Sequence, residues 1–436
     1  MTDRQAEAGV EPERFWIKDL TLQNFRRFEK AELGPFDPHF NLIIGENGAG
    51  KTSVLAALVS LCTPSRIIGG HQNTLYLNDV RLNQRGYFGN VTYAHAYPAQ
   101  IRITQAFNGT ESNITAGRSS PHEQSITSEQ LLAKLHHGPA LFTQITQPLP
   151  LHYGAQRTFV HAEVDAVNAA TIKDVRVEAL NNWSKAGSSS GGLLVWVARH
   201  TIIALFRKGT PPSEAVDFLP LVRHAITKCV DGATDIFFNP EISDIVVVFA
   251  DGRLLKFSTL SDGQKALIGM VADIARRAIL LNPHLGAEAI VKTPGVVLID
   301  ELDLHLHPRW QRTIIKNLKT TFPLMQFFAT THSPILIGEA RPEELVVLTE
   351  TGSRKVEQSF GLTSNEALEW IMGAPARDPL VKQRIDELYN LLEDEKYDEA
   401  RGRLKALRAD VGEIPEVVGA EAYLWRVEHV DDEAAE

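Results

Sequence analysis

Phe40-Asn41-Leu42-Ile43-Ile44-Gly45-Glu46-Asn47-Gly48-Ala49-Gly50-Lys51-Thr52-Ser53 is the stretch on which the fold turns. Its first five residues read as a short buried strand, and Gly45 to Thr52 fit the pattern G-x-x-x-x-G-K-[ST] at every defined position. Downstream, Leu55, Leu58, Val59 and Cys62 fall at i, i+3, i+4 and i+7, one apolar face of a helix. Strand, glycine-rich turn and helix is the context that a phosphate-binding loop needs. The glycines let backbone N–H groups curl round a phosphate, and the helix N-terminus adds its partial positive charge. Asn47, Gly48, Ala49, Gly50, Lys51, Thr52 and Ser53 are therefore the candidate contacts of a nucleoside triphosphate. Lys51 is expected to reach the β- and γ-phosphates and Thr52 to hold Mg²⁺.

With 436 residues the chain has room for two or three domains, or one large α/β domain with insertions. A net charge of -10 argues against a basic nucleic-acid glove, though a local basic patch stays open. Two cysteines, Cys62 and Cys229, are too few and too far apart for a disulfide framework or a cysteine-rich metal site. Met1 to Glu13 is polar and of mixed charge, unlike a signal peptide. Arg199 and His200 interrupt the most apolar run, Leu193–Phe206, which is also too short to span a bilayer. A cytoplasmic protein with no membrane partner is expected.

Along the chain, 1–14 reads as a disordered leader and Ile17–Leu33 as strand around Asn24-Phe25-Arg26-Arg27-Phe28. Val91–Phe107 is rich in β-branched and aromatic residues and reads as strands covering the nucleotide side. Asn108–Gln130, rich in Ser, Thr, Asn and Gly, reads as a mobile loop. Leu149–Gly154 is a further core strand, 158–183 helical, and Ser184–Gly192 a flexible break. Helices are expected over 193–208 and over 213–230, the second capped by Ser213. Asp251-Gly252 between Ile245–Phe249 and Leu254–Phe257 marks a hairpin.

Three further motifs follow. Leu260-Ser261-Asp262-Gly263-Gln264 opens a helix: Ser261 and Gln264 make an S-x-x-Q capping box, and the same turn could hold an anion. Val296-Val297-Leu298-Ile299-Asp300-Glu301 is a buried strand delivering two acids at its end. Asp300 would bind Mg²⁺ largely through water, and Glu301 would polarise an attacking water as general base. Gln326–Ala329 is another apolar strand, ending at His332, a candidate γ-phosphate sensor. His305 and His307 shape the turn after Glu301 or suggest a metal, with no third ligand nearby.

The ordered set resembles the ABC-type ATPase heads: Walker A at 45–52, signature at 260–264, Walker B at 296–301 and switch His332. That resemblance implies an α/β fold, a P-loop NTPase head with a mixed β-sheet, a helical insertion and a C-terminal helical hairpin. It also implies ATP and Mg²⁺ as cofactors and a head-to-tail homodimer or higher oligomer, in which Ser261, Gly263 and Gln264 act on the partner's nucleotide. The Asn24–Phe28 opening and the Asp303–Pro308 turn are similar to the SMC, RecF and OLD-like branch, which would put Arg26 or Arg27 near the nucleotide. Gln156 or Arg157 is the Q-loop candidate, because it follows a core strand. No acidic D-x-D cluster matching the Toprim domain of the OLD nucleases is found, so no intrinsic nuclease is expected.

A narrower resemblance rests on Leu260–Pro283, Gly295–Pro308, Thr330–Ser333 and Met372–Pro379. These look like compact bacterial ATPases overlapping PtuA-like proteins of the Septu anti-phage system and of a related retron system. It implies slow ATP hydrolysis that controls a partner nuclease of the HNH type. Nucleic acid would be met through that complex, in a retron with a reverse transcriptase and its DNA. The rival is a RecF- or SMC-like DNA-binding ATPase of repair or chromosome maintenance. The expected domains are 15–157 and 236–372 as the two halves of the head, 158–235 as the helical insertion and 373–436 as a helical extension with an acidic tail. In that extension, helices at 380–394 and 397–411 form a hairpin closed by Gly412, either a packing cap or a docking surface.

Overall fold

The computed structural model describes residues 14–61, 75–85, 92–107, 109–128, 145–157, 176–185, 191–207 and 218–433. The chain divides into two compact units, Met1–Ala367 and Leu368–Glu436.

The first unit is built on a mixed sheet. Its strands are β3 (Phe40–Ile44), β9 (Leu149–Tyr153), β13 (Gly295–Ile299), β14 (Met325–Thr330), β15 (Leu345–Leu348) and β16 (Ser353–Arg354), in the order β16-β15-β3-β14-β13-β9. All neighbours are parallel except the β15–β16 pair. Every residue of β3, β13 and β14 is buried, as expected for parallel strands covered on both faces. Parallel running also brings the C-terminal ends Ile44, Tyr153, Ile299 and Thr330 to one edge, where open α/β sheets take their ligands.

An antiparallel sheet, β2-β1-β6-β7-β8, is made of β1 (Phe15–Phe25), β2 (Phe28–Leu33), β6 (Ala99–Phe107), β7 (Thr110–Arg118) and β8 (Gln124–Ser128). Its inward residues Leu20, Leu22, Ile101, Ile103 and Ile114 share a core with Val54, Leu55 and Leu58 of helix α1 (Lys51–Leu61). Here the expected loop at Asn108–Gln130 is corrected: most of it is strand. In β7, Ser112, Ile114 and Ala116 are buried, and Ile114 stands opposite Ile103 of β6. A two-stranded ribbon joins β4 (Leu82–Arg85) to β5 (Thr92–His95).

Helices α2 (Gly191–Arg207) and α3 (Leu219–Cys229) lie within the expected insertion, the second starting later than 213; Ser213 lies outside the described residues. Most of 158–183 and of Ser184–Gly192, and the leader to Glu13, also lie outside them. The described part, Arg176–Leu180 and Trp183–Lys185, forms short 3-10 turns instead of a regular helix. The predicted hairpin is present as β11 (Asp244–Phe249) and β12 (Leu254–Lys256), with β10 (Ala233–Asn239) on the other side. Gly252 at φ 84 supplies the left-handed turn residue. Next comes α4 (Asp262–Leu281), then α5 (Ile314–Thr321) and α6 (Pro334–Glu339).

The second unit contains α7 (Pro379–Glu393) and α8 (Tyr397–Val411), the expected hairpin, with Gly412 at φ 76 closing α8. A third helix, α9 (Pro415–Glu433), occupies what reads in the sequence as an acidic tail. Val417, Ala420 and Leu424 of α9 complete the core that Ile385, Leu388, Leu392, Ala400, Leu404 and Leu407 begin. Among the described residues no helix is long and apolar enough to cross a membrane.

Candidate functional site

The phosphate loop runs from the end of β3 into α1, as its glycines require. Gly50 has φ +97, and a Cβ there would lie 2.6 Å from the Phe28 ring, so only glycine fits. Lys51 folds back over the loop, its Nζ donating to the Gly45 carbonyl at 2.7 Å and the Glu46 carbonyl at 3.1 Å. Burial holds its ammonium below the usual lysine range, while Asp300, Glu301 and Asp303 pull the other way. Asn47 and Gly48 are exposed, Ala49 and Ser53 half-buried. Of the pair Arg26 or Arg27 expected near the nucleotide, Arg26 is bonded to Asp79, its Nε donating to Asp79 Oδ1 at 2.9 Å. The left-handed backbone of Arg26, φ 48, separates it from its neighbour, and it is Arg27 that donates to the Gly48 carbonyl.

Across the strand ends, the Thr52 hydroxyl lies 3.2 and 3.4 Å from the two Asp300 carboxylate oxygens. Two oxygen ligands side by side beside a phosphate loop suit Mg²⁺, which takes few protein ligands and fills its octahedron with water and phosphate. Thr330 fixes the acid pair from β14: its hydroxyl donates to Asp300 Oδ1 at 2.6 Å and accepts from the Glu301 amide at 2.7 Å. Sequence reasoning gave Thr330 no role. The signal available was a hydroxyl where the apolar run Phe327-Phe328-Ala329 breaks off. Glu301 is half-buried with φ 51, and its carboxylate makes no hydrogen bond among the described residues. Next in the turn, Asp303 Oδ1 accepts from the Thr331 hydroxyl at 2.6 Å and from the His332 amide at 3.4 Å. His332 is thereby brought to the same edge with an exposed side chain.

His305 has φ 61, and His307 Nδ1 accepts from the Arg309 amide at 3.2 Å, capping the short helix Pro308–Gln311. Both shape the turn, and among the described residues no group of His, Cys, Asp and Glu could hold a metal by itself. The capping box at α4 is present in full, with the Gln264 amide donating to Ser261 Oγ at 3.4 Å and the Ser261 amide to Gln264 Oε1 at 3.1 Å. Ser261 is exposed and Gly263 buried: a Cβ on Gly263 would lie 1.9 Å from the His305 carbonyl oxygen. The start of α4 thus packs directly on the turn that follows Glu301. Gly263→Ala is expected to force these two segments apart and to lower turnover by about tenfold, the cost of a small misplacement at a reacting centre. Steady-state ATP hydrolysis beside a thermal melt checks it; parent turnover in a folded variant would count against it.

Gln156 is exposed and points to no described partner, whereas Arg157 is buried. The Arg157 guanidinium donates to two successive carbonyls, those of Asp300 and, at 2.7 Å, Glu301.

Comparison with known proteins follows the same pattern. Residues 19–149 match a family model described as "AAA domain", and residues 207–338 one described as "AAA domain, putative AbiEii toxin, Type IV TA system". The "Septu protein PtuA" of Bacillus thuringiensis is 32% identical over 88% of this chain and 90% of its own length. The "Retron Vc95 probable ATPase" of Vibrio cholerae is 25% identical over 81% of this chain and 78% of its own. Among solved structures, the SMC head domain from Thermotoga maritima aligns with a TM-score of 0.44 and 17% identity, over 78% of this chain and 99% of that one.

Proposed function

This chain belongs to the AAA-domain ATPase family that includes the Septu protein PtuA, and from that premise we propose that it is the ATP-binding and ATP-hydrolysing subunit of an anti-phage defence complex. Two heads pair head to tail around ATP and control a partner nuclease of the HNH type; nucleic acid is met through that complex, in a retron with a reverse transcriptase and its DNA. The observation that carries the reading is the 3.2 Å approach of the Thr52 hydroxyl to the Asp300 carboxylate, beside Lys51 and with Glu301 next in the chain.

In this reading Lys51 exchanges its two carbonyl acceptors for phosphate oxygens, and the loop N–H groups of 47–53 cradle the rest. Thr52 and Asp300 hold Mg²⁺, which offsets phosphate charge. Glu301, its carboxylate clear of hydrogen bonds among the described residues and next to that pair, orients and deprotonates the attacking water. His332 reads the γ-phosphate from the neighbouring strand end. Ser261 and Gly263, exposed hydroxyl and N-terminal helix turn, face the nucleotide of the second subunit. A site that needs two subunits turns over slowly, and the chain brings no nuclease of its own.

Tagged Glu301→Gln protein, purified from the native host with ATP and Mg²⁺, is expected to bring down a small nuclease in stoichiometric amount, detected by mass spectrometry. Recovery of chromosomal DNA and repair proteins in its place would overturn the defence reading in favour of a RecF- or SMC-like DNA-binding role.

A further inference from the structure

Glu301 does not hold its backbone geometry unaided. A left-handed φ of 51 in a non-glycine residue is strained and persists only where neighbours over-determine it. Four bonds do so here. The Asp300 amide donates to the Tyr153 carbonyl at 2.8 Å, and the Glu301 amide donates to Thr330 Oγ1. The Asp300 and Glu301 carbonyls both accept from Arg157. A guanidinium is suited to this, since its rigid fork meets two acceptors at once. It is 9% exposed, and burial holds it below the usual arginine range.

Arg157 sits four residues past Tyr153, the last residue of β9, whose side chain reaches the long helix α4. The Tyr153 hydroxyl donates to Asp273 Oδ2 at 3.0 Å. Asp273 is fixed in turn by Arg277 at 2.8 Å and Arg276 at 3.2 Å, all three side chains being nearly fully buried. Buried polar groups satisfied in this way form a rigid unit, because each broken bond leaves a desolvated partner behind. Asp273 is twelve residues along α4 from Ser261, roughly 18 Å of continuous helix. At its start the same helix rests Gly263 on the His305 carbonyl. So α4 meets the Asp300–His305 segment directly at His305 and, through Tyr153, at Asp300.

We infer that Arg157 is a positioning residue that sets the Glu301 backbone for hydrolysis, and that the Tyr153–Asp273 bond ties this clamp to α4, so that a pull on the Ser261 end is felt at Glu301 in the same subunit. This rests on the ATPase reading above and assigns Arg157 to the catalytic turn instead of to the nucleotide. A nucleotide contact would aim the guanidinium at phosphate; here Nη1 and Nη2 each donate to a main-chain carbonyl of the Asp300-Glu301 turn. With the α4 ends of two heads on each other's nucleotide, filling one site then readies the carboxylate of the other.

The test compares parent, Arg157→Lys, Tyr153→Phe and the double variant by ATP affinity, turnover and amide exchange at 300–305. Lysine keeps the charge and loses the fork, and phenylalanine removes one hydroxyl, so both keep the bulk that the core needs. Arg157→Lys is expected to lower turnover by about tenfold or more with ATP affinity changed less than about threefold, as misplacement of a reacting group does. Amide exchange at 300–305 rises in parallel. Tyr153→Phe is expected to give a smaller loss, about threefold, and the double variant to match Arg157→Lys alone, the mark of two residues acting in one chain. Weakened ATP affinity in Arg157→Lys would overturn the assignment and return the residue to the nucleotide. Losses that multiply in the double variant would overturn the tie to α4. A parent that binds ATP without hydrolysing it would sink the ATPase reading, while amide exchange would still report whether Arg157 holds the turn.

Discussion

Glu301→Gln is expected to slow ATP hydrolysis by on the order of a hundredfold or more, to leave ATP affinity nearly unchanged, and to hold two copies together in ATP. The substitution keeps the shape of the side chain and its place at the end of β13. The bonds that fix the turn run through the Glu301 amide and carbonyl, so glutamine preserves them. What it removes is the proposed proton acceptor, and a positioned general base supplies about a hundredfold to ten-thousandfold. Binding is expected to suffer little, because the proposed reading gives phosphate to the loop at 45–53 and Mg²⁺ to Thr52 and Asp300, and neither to Glu301. A sandwich that forms on ATP and loosens on hydrolysis then accumulates closed. Single-turnover hydrolysis and sedimentation with and without ATP check both halves. Parent-rate hydrolysis would remove Glu301 from the chemistry, and a monomer in saturating ATP would remove the head-to-tail pairing.

Much of this site was legible in the chain because its parts are local. A phosphate loop needs its glycines, lysine and threonine within eight positions, and an apolar run ending in Asp300-Glu301 announces a strand that delivers acids. What stayed hidden depends on partners distant in sequence. Arg157 bonds to carbonyls 143 and 144 residues away, and a carbonyl leaves no trace in a sequence. Asp273 reads as one charge on an amphipathic helix until Tyr153, 120 residues earlier, is seen to meet it.

Composition misled in two places, for one reason. The Ser, Thr and Asn of Asn108–Gln130 suggest a loop, yet a paired strand forms because β6 offers a ladder and Gln105 Nε2 meets Ser112 Oγ at 3.2 Å. Strand preference is largely a preference for a neighbour. In Pro415–Glu433 the acids outnumber and mask Val417, Ala420 and Leu424, whose helical spacing completes the core of the second unit. Burial of a few well-spaced apolar residues outweighs the polarity of the rest, since an exposed charge on the far face costs little.

Lys51→Ala is expected to lower ATP affinity by about ten- to a hundredfold, the equivalent of about 1.5–3 kcal/mol for a charge-assisted bond to phosphate. The reason lies in what Lys51 touches in the structure. Its Nζ bonds to the Gly45 and Glu46 carbonyls and, among the described residues, to no carboxylate, and burial already works against its charge. A triphosphate brings negative charge into direct contact with this ammonium, so most of the gain from the pair appears on binding and little of it stabilises the free fold. Lys51→Ala should therefore melt within a few degrees of the parent while losing ATP. Titration calorimetry with MgATP beside a thermal melt separates the two effects. Unchanged affinity would show that Lys51 stays on its carbonyls when nucleotide arrives, and a large drop in melting temperature would show that those two bonds hold the loop together.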